Sequence, residues 1–343
     1  GRTRVMARDP RLVLQAAPLL RQQLTTRRAM FDVLIALIPA TLAGLWFFGI
    51  GGLLVLLACI LGCVLTEWVF SAAEVRRDKL LDGSGFLTGL LLGLTLPPSL
   101  PLWMAFVGGM VSIGLGKLIW GGLGHNLFNP ALVGRAFLLA TFPTAMTTWT
   151  PAAGPGQFFE IHASNLAAPF MHVDYDGVSS ATPLGLMKFE SQTTALPDLL
   201  VGNISGCIGE TSGLLLLLGG FYLLWRQIID WRIPAGIMLA VAVLSGLLHV
   251  ADANQYPGPL FSVFAGSLLI GAFFMATDPV SSPVTPRGAW IFGVGVGLLV
   301  VLIRNFGGFP EGVMYAILLM NAATPLIDRY TQPRVFGRGG RPR

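Results

Sequence analysis

The chain is built from ten apolar segments, set apart by short polar turns and by one long polar stretch. They cover 31–49, 51–70, 85–97, 101–121 and 127–145, then 211–226, 232–250, 260–277, 287–303 and 310–327. A helix needs about 20 residues at 1.5 Å each to cross roughly 30 Å of hydrocarbon, and most of the segments approach that length. A water-soluble core cannot absorb so much apolar sequence, because a domain's surface demands polar cover. Of the residues 54% are apolar and 11% charged, against about 25% charged in ordinary globular chains. Lipid is the solvent that fits. The fold expected is an all-α integral membrane bundle of about ten transmembrane helices.

Two of the segments are broken. The third is too short to cross alone and runs into Pro97-Pro98-Ser99-Leu100-Pro101, and the eighth ends at Thr277-Asp278-Pro279-Val280-Ser281-Ser282-Pro283. Each is the third member of a set of five. After each comes a glycine-rich helix opening with a tryptophan, Trp103 or Trp290, and then an Asn/Phe/Pro turn, at 126–130 or 305–310. The ordered similarity predicts two five-helix repeats. An odd number of crossings inverts the second repeat, so that broken helices meet near the midplane.

Basic residues give the expected orientation. With the N-terminus inside, cytoplasmic segments collect seven arginines before Met30, then Arg76, Arg77, Lys79, Arg226, Arg232 and Arg287, and five more arginines after Ile327. Outside segments hold only Lys188 and Arg304, and Lys117, near an inner helix end, is free to snorkel. This divides the chain into a cytoplasmic segment (1–30), a first repeat (31–145), an external loop (146–196), a second repeat (197–328) and a basic cytoplasmic tail (329–343). The first apolar run is followed at once by another, which does not read as a cleavable signal peptide. The net charge of +5 lies in loops and tails, as a topology signal and not as a nucleic-acid groove.

The external loop contains Asp176-Gly177-Val178-Ser179-Ser180-Ala181-Thr182-Pro183-Leu184. At these residues the chain resembles the family formed by the D subunit of the Rnf ion-translocating electron-transport complex and the B subunit of the sodium-pumping NADH:quinone reductase. The likeness extends to Gly-Leu-Gly-His-Asn-Leu-Phe-Asn-Pro-Ala at 122–131 and to the Asp278-Pro279 break. The absence of a long N-terminal extension, with Ala181-Thr182-Pro183-Leu184, points toward the Rnf branch. The resemblance implies that Thr182 is esterified to the phosphate of FMN, with Asp176, Ser179, Ser180 and Ala181 completing the motif. Ser180 stands where the family often has glycine. It also implies a non-covalent riboflavin within the bundle, a separate flavin transferase that loads the FMN, and iron–sulfur and flavin subunits as partners. The place implied is a bacterial inner membrane, with the Thr182 loop periplasmic.

A hydroxyl is the group that a phosphoester requires, and a covalent tether fixes the ring where no flavin pool would replace it. Read without the resemblance, the motif is a Ser/Thr-rich turn before a proline. Arg135 lies in an apolar stretch, either contacting a phosphate or flavin edge, guarding an ion path, or snorkelling. Asp278 is either a turn residue or part of an ion site at the helix break. Asn126 and Asn129 serve freed backbone groups or line the ion or electron route. Glu67 and Trp68 read as interface anchors, and Cys59, Cys63 and Cys207 as small buried hydrophobes. The four histidines have no metal-ligand spacing, and no dinucleotide fingerprint, Walker loop or cysteine cluster occurs. The chain thus has no complete active site of its own. A redox subunit coupling ferredoxin and NAD chemistry to Na+ or H+ movement is the function expected; an inverted-repeat solute channel without covalent flavin, or an anchoring scaffold, is the alternative.

Overall fold

The computed structural model describes residues 25–71, 76–151, 158–159, 161–169, 180–253 and 255–333, apart from the side chains of residues 77 and 78. The described residues are helical, without a strand. In chain order the helices are α1 (Thr26–Phe70), α2 (Arg76–Leu81), α3 (Ser84–Leu94), α4 (Leu102–Ile113), α5 (Pro130–Thr141), α6 (Pro143–Thr147), α7 (Pro183–Glu190) and α8 (Leu196–Val201). There follow α9 (Gly213–Trp225), α10 (Arg232–Ala251), α11 (Pro259–Phe264), α12 (Leu268–Ile270), α13 (Pro286–Phe306) and α14 (Val313–Thr331). Wider π turns continue α4 over Gly114–Leu118 and α12 over Gly271–Met275. Every one of the ten apolar segments falls on helix. Among the described residues three helices, α1, α10 and α13, are long and apolar enough to cross a membrane.

The first of these is a hairpin. At Gly49 the backbone turns to φ 61°, ψ −150°, outside helical space and open to glycine alone. Ile50 N there donates to Phe158 O (2.9 Å), so the turn is pinned from the long loop. Both ends of α1 meet the start of α3: Met30 and Phe31 lie beside Gly83, while Lys117 bridges Glu67 and Ser84. The long helices expose Ile35, Leu42, Leu61, Leu239, Leu247 and Leu298. Water would penalise such ridges, and acyl chains solvate them.

Glycines set the distance between helices. A Cβ on Gly109 of α4 would lie 2.5 Å from Cys59 O and 3.0 Å from Cys63 N of α1, both backbone atoms. The α10–α13 pair repeats the device, since a Cβ on Gly293 would lie 2.7 Å from Ile233 O. Small residues let membrane helices approach closely, and dispersion across the seam holds them. Gly109→Val is therefore expected to destabilise the bundle by about 1–3 kcal/mol through overpacking. An SDS unfolding titration checks this, with Gly114→Val, whose Cβ meets nothing within 4 Å, as the silent control.

The short helix α3 would span only about 16 Å at its usual rise. It is buried on nearly all sides, and so is the irregular backbone at 95–101 that follows. Buried carbonyls need donors. Asn165 Nδ2 reaches Pro98 O and Leu100 O (both 2.9 Å), Ser164 Oγ reaches Ser99 O (2.7 Å), and Ile208 N reaches Leu96 O (3.1 Å). The eighth segment breaks twice. Gly266 (φ 70°) parts α11 from α12, and Arg304 satisfies the opened turn, donating to Ser262 O (2.7 Å) and Ala265 O (3.0 Å). Arg304 is thus a buried structural cation and not a solvated loop charge.

Candidate functional site

Thr182 is the N-cap of α7. Its backbone is extended (φ −69°, ψ 158°), Pro183 follows at the first helical position, and Oγ1 accepts from Gly185 N at 3.1 Å. Threonine before proline favours this geometry, because proline has no N–H to leave unpaired. The hydroxyl therefore stands at the positive end of a helix, where a phosphate is favoured.

Lys188, in the last turn of the same helix, ties α7 to the far end of α13. Its ammonium donates to Arg304 O (2.9 Å), Gly307 O (2.6 Å) and Phe309 O (3.0 Å), and partial burial pulls it below the usual lysine range. A cavity of about 510 Å³ opens beside Thr182. Trp149, Phe189, Phe309 and Tyr315 supply aromatic walls, and Ser180 and Ala181 line it too. Phe309 and Tyr315 lie 6.1 Å apart between ring centroids. This volume and lining fall within the range of small-molecule sites. Asp176 and Ser179 lie outside the described residues.

Arg135 borders the same cavity, so the structure brings it to Thr182 across the bundle. It is neither snorkelled nor free: Nη2 donates to Glu311 Oε2 (2.6 Å) and to Cys207 Sγ (3.5 Å). Ser267 Oγ also reaches Glu311 Oε2 (3.5 Å), and Glu210 Oε2 accepts from Cys207 N (3.4 Å). Arg135 and its counter-charge Glu311 both line the cavity, so an ion pair stands in its wall.

Asn126, Asn129 and Asp278 belong elsewhere, to a second cavity of about 270 Å³. Asn129 caps α5, accepting from Ala131 N (3.0 Å), and its amide donates to Met275 O (3.0 Å) at the end of the second π turn. Asn126 Nδ2 donates to Phe128 O (3.2 Å) and Asp278 Oδ2 (3.4 Å), and Ser281 Oγ donates to Asp278 at 2.9 Å. Both asparagines serve backbone, and Asp278 organises its own turn.

The same cavity corrects two sequence readings. Lys117 is 2% exposed and does not snorkel; Glu67 is 1% exposed and is no interface anchor. They form a buried ion pair, with Lys117 Nζ also donating to Ser84 Oγ (2.6 Å). Sequence reasoning likewise passes over Glu210 and Glu311. An isolated acid at the edge of an apolar segment is the available signal. Cys59, Cys63 and Cys207 are buried free thiols.

An aromatic-lined chamber inside a helical bundle that exposes apolar ridges defines an all-α membrane protein with an internal cavity. The chain belongs to the NQR2, RnfD, RnfE family, whose model matches residues 13–337. It is 40% identical to the D subunit of the proton-translocating ferredoxin:NAD(+) oxidoreductase complex of Clostridium ljungdahlii, over 94% of this chain and 96% of that protein. It is likewise 40% identical to the D subunit of the Na(+)-translocating ferredoxin:NAD(+) oxidoreductase complex of Acetobacterium woodii, covering 95% of both. The D subunit of the ion-translocating oxidoreductase complex of Stutzerimonas stutzeri shares 42% over 92% of this chain and 93% of its own.

Proposed function

We propose that this protein is the D subunit of an Rnf-type complex that couples electron transfer between ferredoxin and NAD to ion translocation, and that it carries FMN on Thr182. The observation that carries the flavin part is Thr182 itself: a hydroxyl at a helix N-terminus, bordering an aromatic cavity shared with Arg135. Gly185 N and the α7 dipole would hold the phosphate, the aromatic walls would receive the ring, and Arg135 would bias its electronics. Bound there, the flavin supplies one- and two-electron transfer. The chain supplies position and exclusion of water. The non-covalent riboflavin requires a chamber inside the bundle, and the cavity bordered by Lys117 and Asn126 is the candidate.

The architecture proposed is ten crossings in two inverted five-helix repeats. The paired glycine seams and the two broken segments support it. The division at 1–30, 31–145, 146–196, 197–328 and 329–343 follows from it. Basic residues favour cytoplasmic termini in a bacterial inner membrane, with Thr182 on the periplasmic side. Partners in this reading are the iron–sulfur and flavin subunits of the complex, the flavin transferase and lipid. The relatives' names divide between proton and sodium at equal identity, so the ion is not assigned by likeness. Its route runs beside the breaks at Pro97 and Pro279, and full pumping after both are replaced by continuous helix would refute that route.

The flavin test is direct. The chain, co-expressed with a flavin transferase and run on a denaturing gel, is expected to give a fluorescent band. The peptide bearing Thr182 should gain the mass of FMN less water. A dark band with an unmodified peptide rejects the tether.

A further inference from the structure

Thr182 is only 4% exposed, and Pro183, Leu184 and Gly185 after it are buried as well. Its Oγ1 is engaged by Gly185 N. The chain just before it is fastened too: Ser180 N donates to Trp149 O (2.9 Å), and Ser180 Oγ donates to Ser205 Oγ (2.5 Å). A transferase that is itself a protein has to bring its active site to the acceptor oxygen. The cavity beside Thr182, about 510 Å³, admits a small molecule and not a folded domain. In the seat that α7 occupies, the hydroxyl is out of an enzyme's reach.

The same helix is lightly held. Leu184 and Met187 pack with Leu199, Ile204, Phe261 and Ala265 in a small apolar cluster, separate from the main core of the bundle. The polar fastening is one side chain, Lys188, whose ammonium gathers Arg304 O, Gly307 O and Phe309 O at the C-terminal end of α13. A cation is favoured at that end of a helix, where carbonyls lack intrahelical donors. A short element with its own small cluster opens locally at lower cost than the bundle it rests on.

We propose that α7 is a latched flap: Lys188 holds it shut, and the flavin transferase modifies Thr182 only when residues 180–190 have come away from the bundle. The inference rests on the reading of Thr182 as the FMN acceptor and adds what governs access to it. Attachment joins Thr182 Oγ1 to the FMN-side phosphorus of FAD, with AMP leaving and the hydroxyl proton passing to solvent; no electrons change hands. When α7 closes again, Thr182 returns to the wall of the aromatic cavity. One helix thus serves loading when open and positioning when shut.

The test uses the full chain, folded without flavin and then given purified transferase and FAD, with loading read as the mass of the Thr182 peptide. Lys188→Met is expected to load about tenfold faster than the unaltered chain, since charge-assisted hydrogen bonds that hold the shut form are gone. Lys188→Arg keeps donors for the carbonyls and should stay slow. A lock gives the opposite sign. Ser180→Cys with Ser205→Cys puts two thiols where the hydroxyls touch, close enough for a disulfide. The oxidised chain is expected not to load and the reduced chain to load, and their identical sequence removes any effect of residue 180 on recognition. Hydrogen exchange reads the flap without flavin: amides at 184–190 should exchange faster in Lys188→Met, with α10 and α13 unchanged. Equal loading of the oxidised and reduced lock, or a Lys188→Met chain that fails to load or to exchange faster, overturns the latch. Absence of FMN from every chain, including one co-expressed with the transferase, rejects Thr182 as the acceptor instead, and the exchange result still reports the flap.

Discussion

Thr182→Asn is expected to abolish covalent flavin while leaving the fold intact. A phosphoester needs the threonine oxygen to bond phosphorus while its proton leaves and AMP departs from FAD; an amide offers no such oxygen. Asparagine does replace threonine as an N-cap, since its side-chain oxygen accepts from the same backbone N–H. Thr182→Val, by contrast, loses hydroxyl and cap together and should cost about 0.5–2 kcal/mol in addition. Comparing the two separates tether from cap. The expected readings are a dark gel band for both variants, an unchanged unfolding midpoint for Asn, and a lowered one for Val. Thr182→Ser keeps oxygen and cap and should retain fluorescence. A bright Thr182→Asn band would move the attachment to another residue and remove the basis of the site.

Lys117→Met should be among the most destabilising single changes in the bundle. It leaves the Glu67 carboxylate buried without its cation, and breaking such a pair costs about 3–5 kcal/mol. Lys117 sits in the π turn at Gly114–Leu118, held against α1 and the start of α3, so three elements share the loss. The double variant Lys117→Met with Glu67→Gln removes both charges and is expected to recover most of the stability. An unfolding titration of the four proteins gives the coupling. Additive losses in the double variant would mean that the two side chains do not depend on one another.

Hydropathy is a sound guide to helices here because it measures what lipid must solvate. The turn at Gly49 is marked by the junction of two apolar runs, and the broken third and eighth segments by their prolines. Thr182 stands out through the residues around it and the resemblance they carry. Partnerships are not legible. Glu67 and Lys117 are 50 residues apart, and Arg135 and Glu311 are 176 apart. Neither periodicity nor composition pairs charges over such distances. Snorkelling is the natural expectation for Lys117 because sequence gives its position along the helix and not the face it presents. The stretch 202–212 lacks a long apolar run, yet it is buried against α3 and α1, because its backbone supplies a donor to the α3 break.

That break has a bearing on biosynthesis. The carbonyls at 98–100 receive their donors from Ser164 and Asn165, which lie 65 to 67 positions further along, and Leu96 O waits still longer for Ile208. Ribosomes emit the acceptors well before the donors, and a bare carbonyl in hydrocarbon is not tolerated. The third segment is therefore expected to take its final buried place only after residues 164–208 have been made.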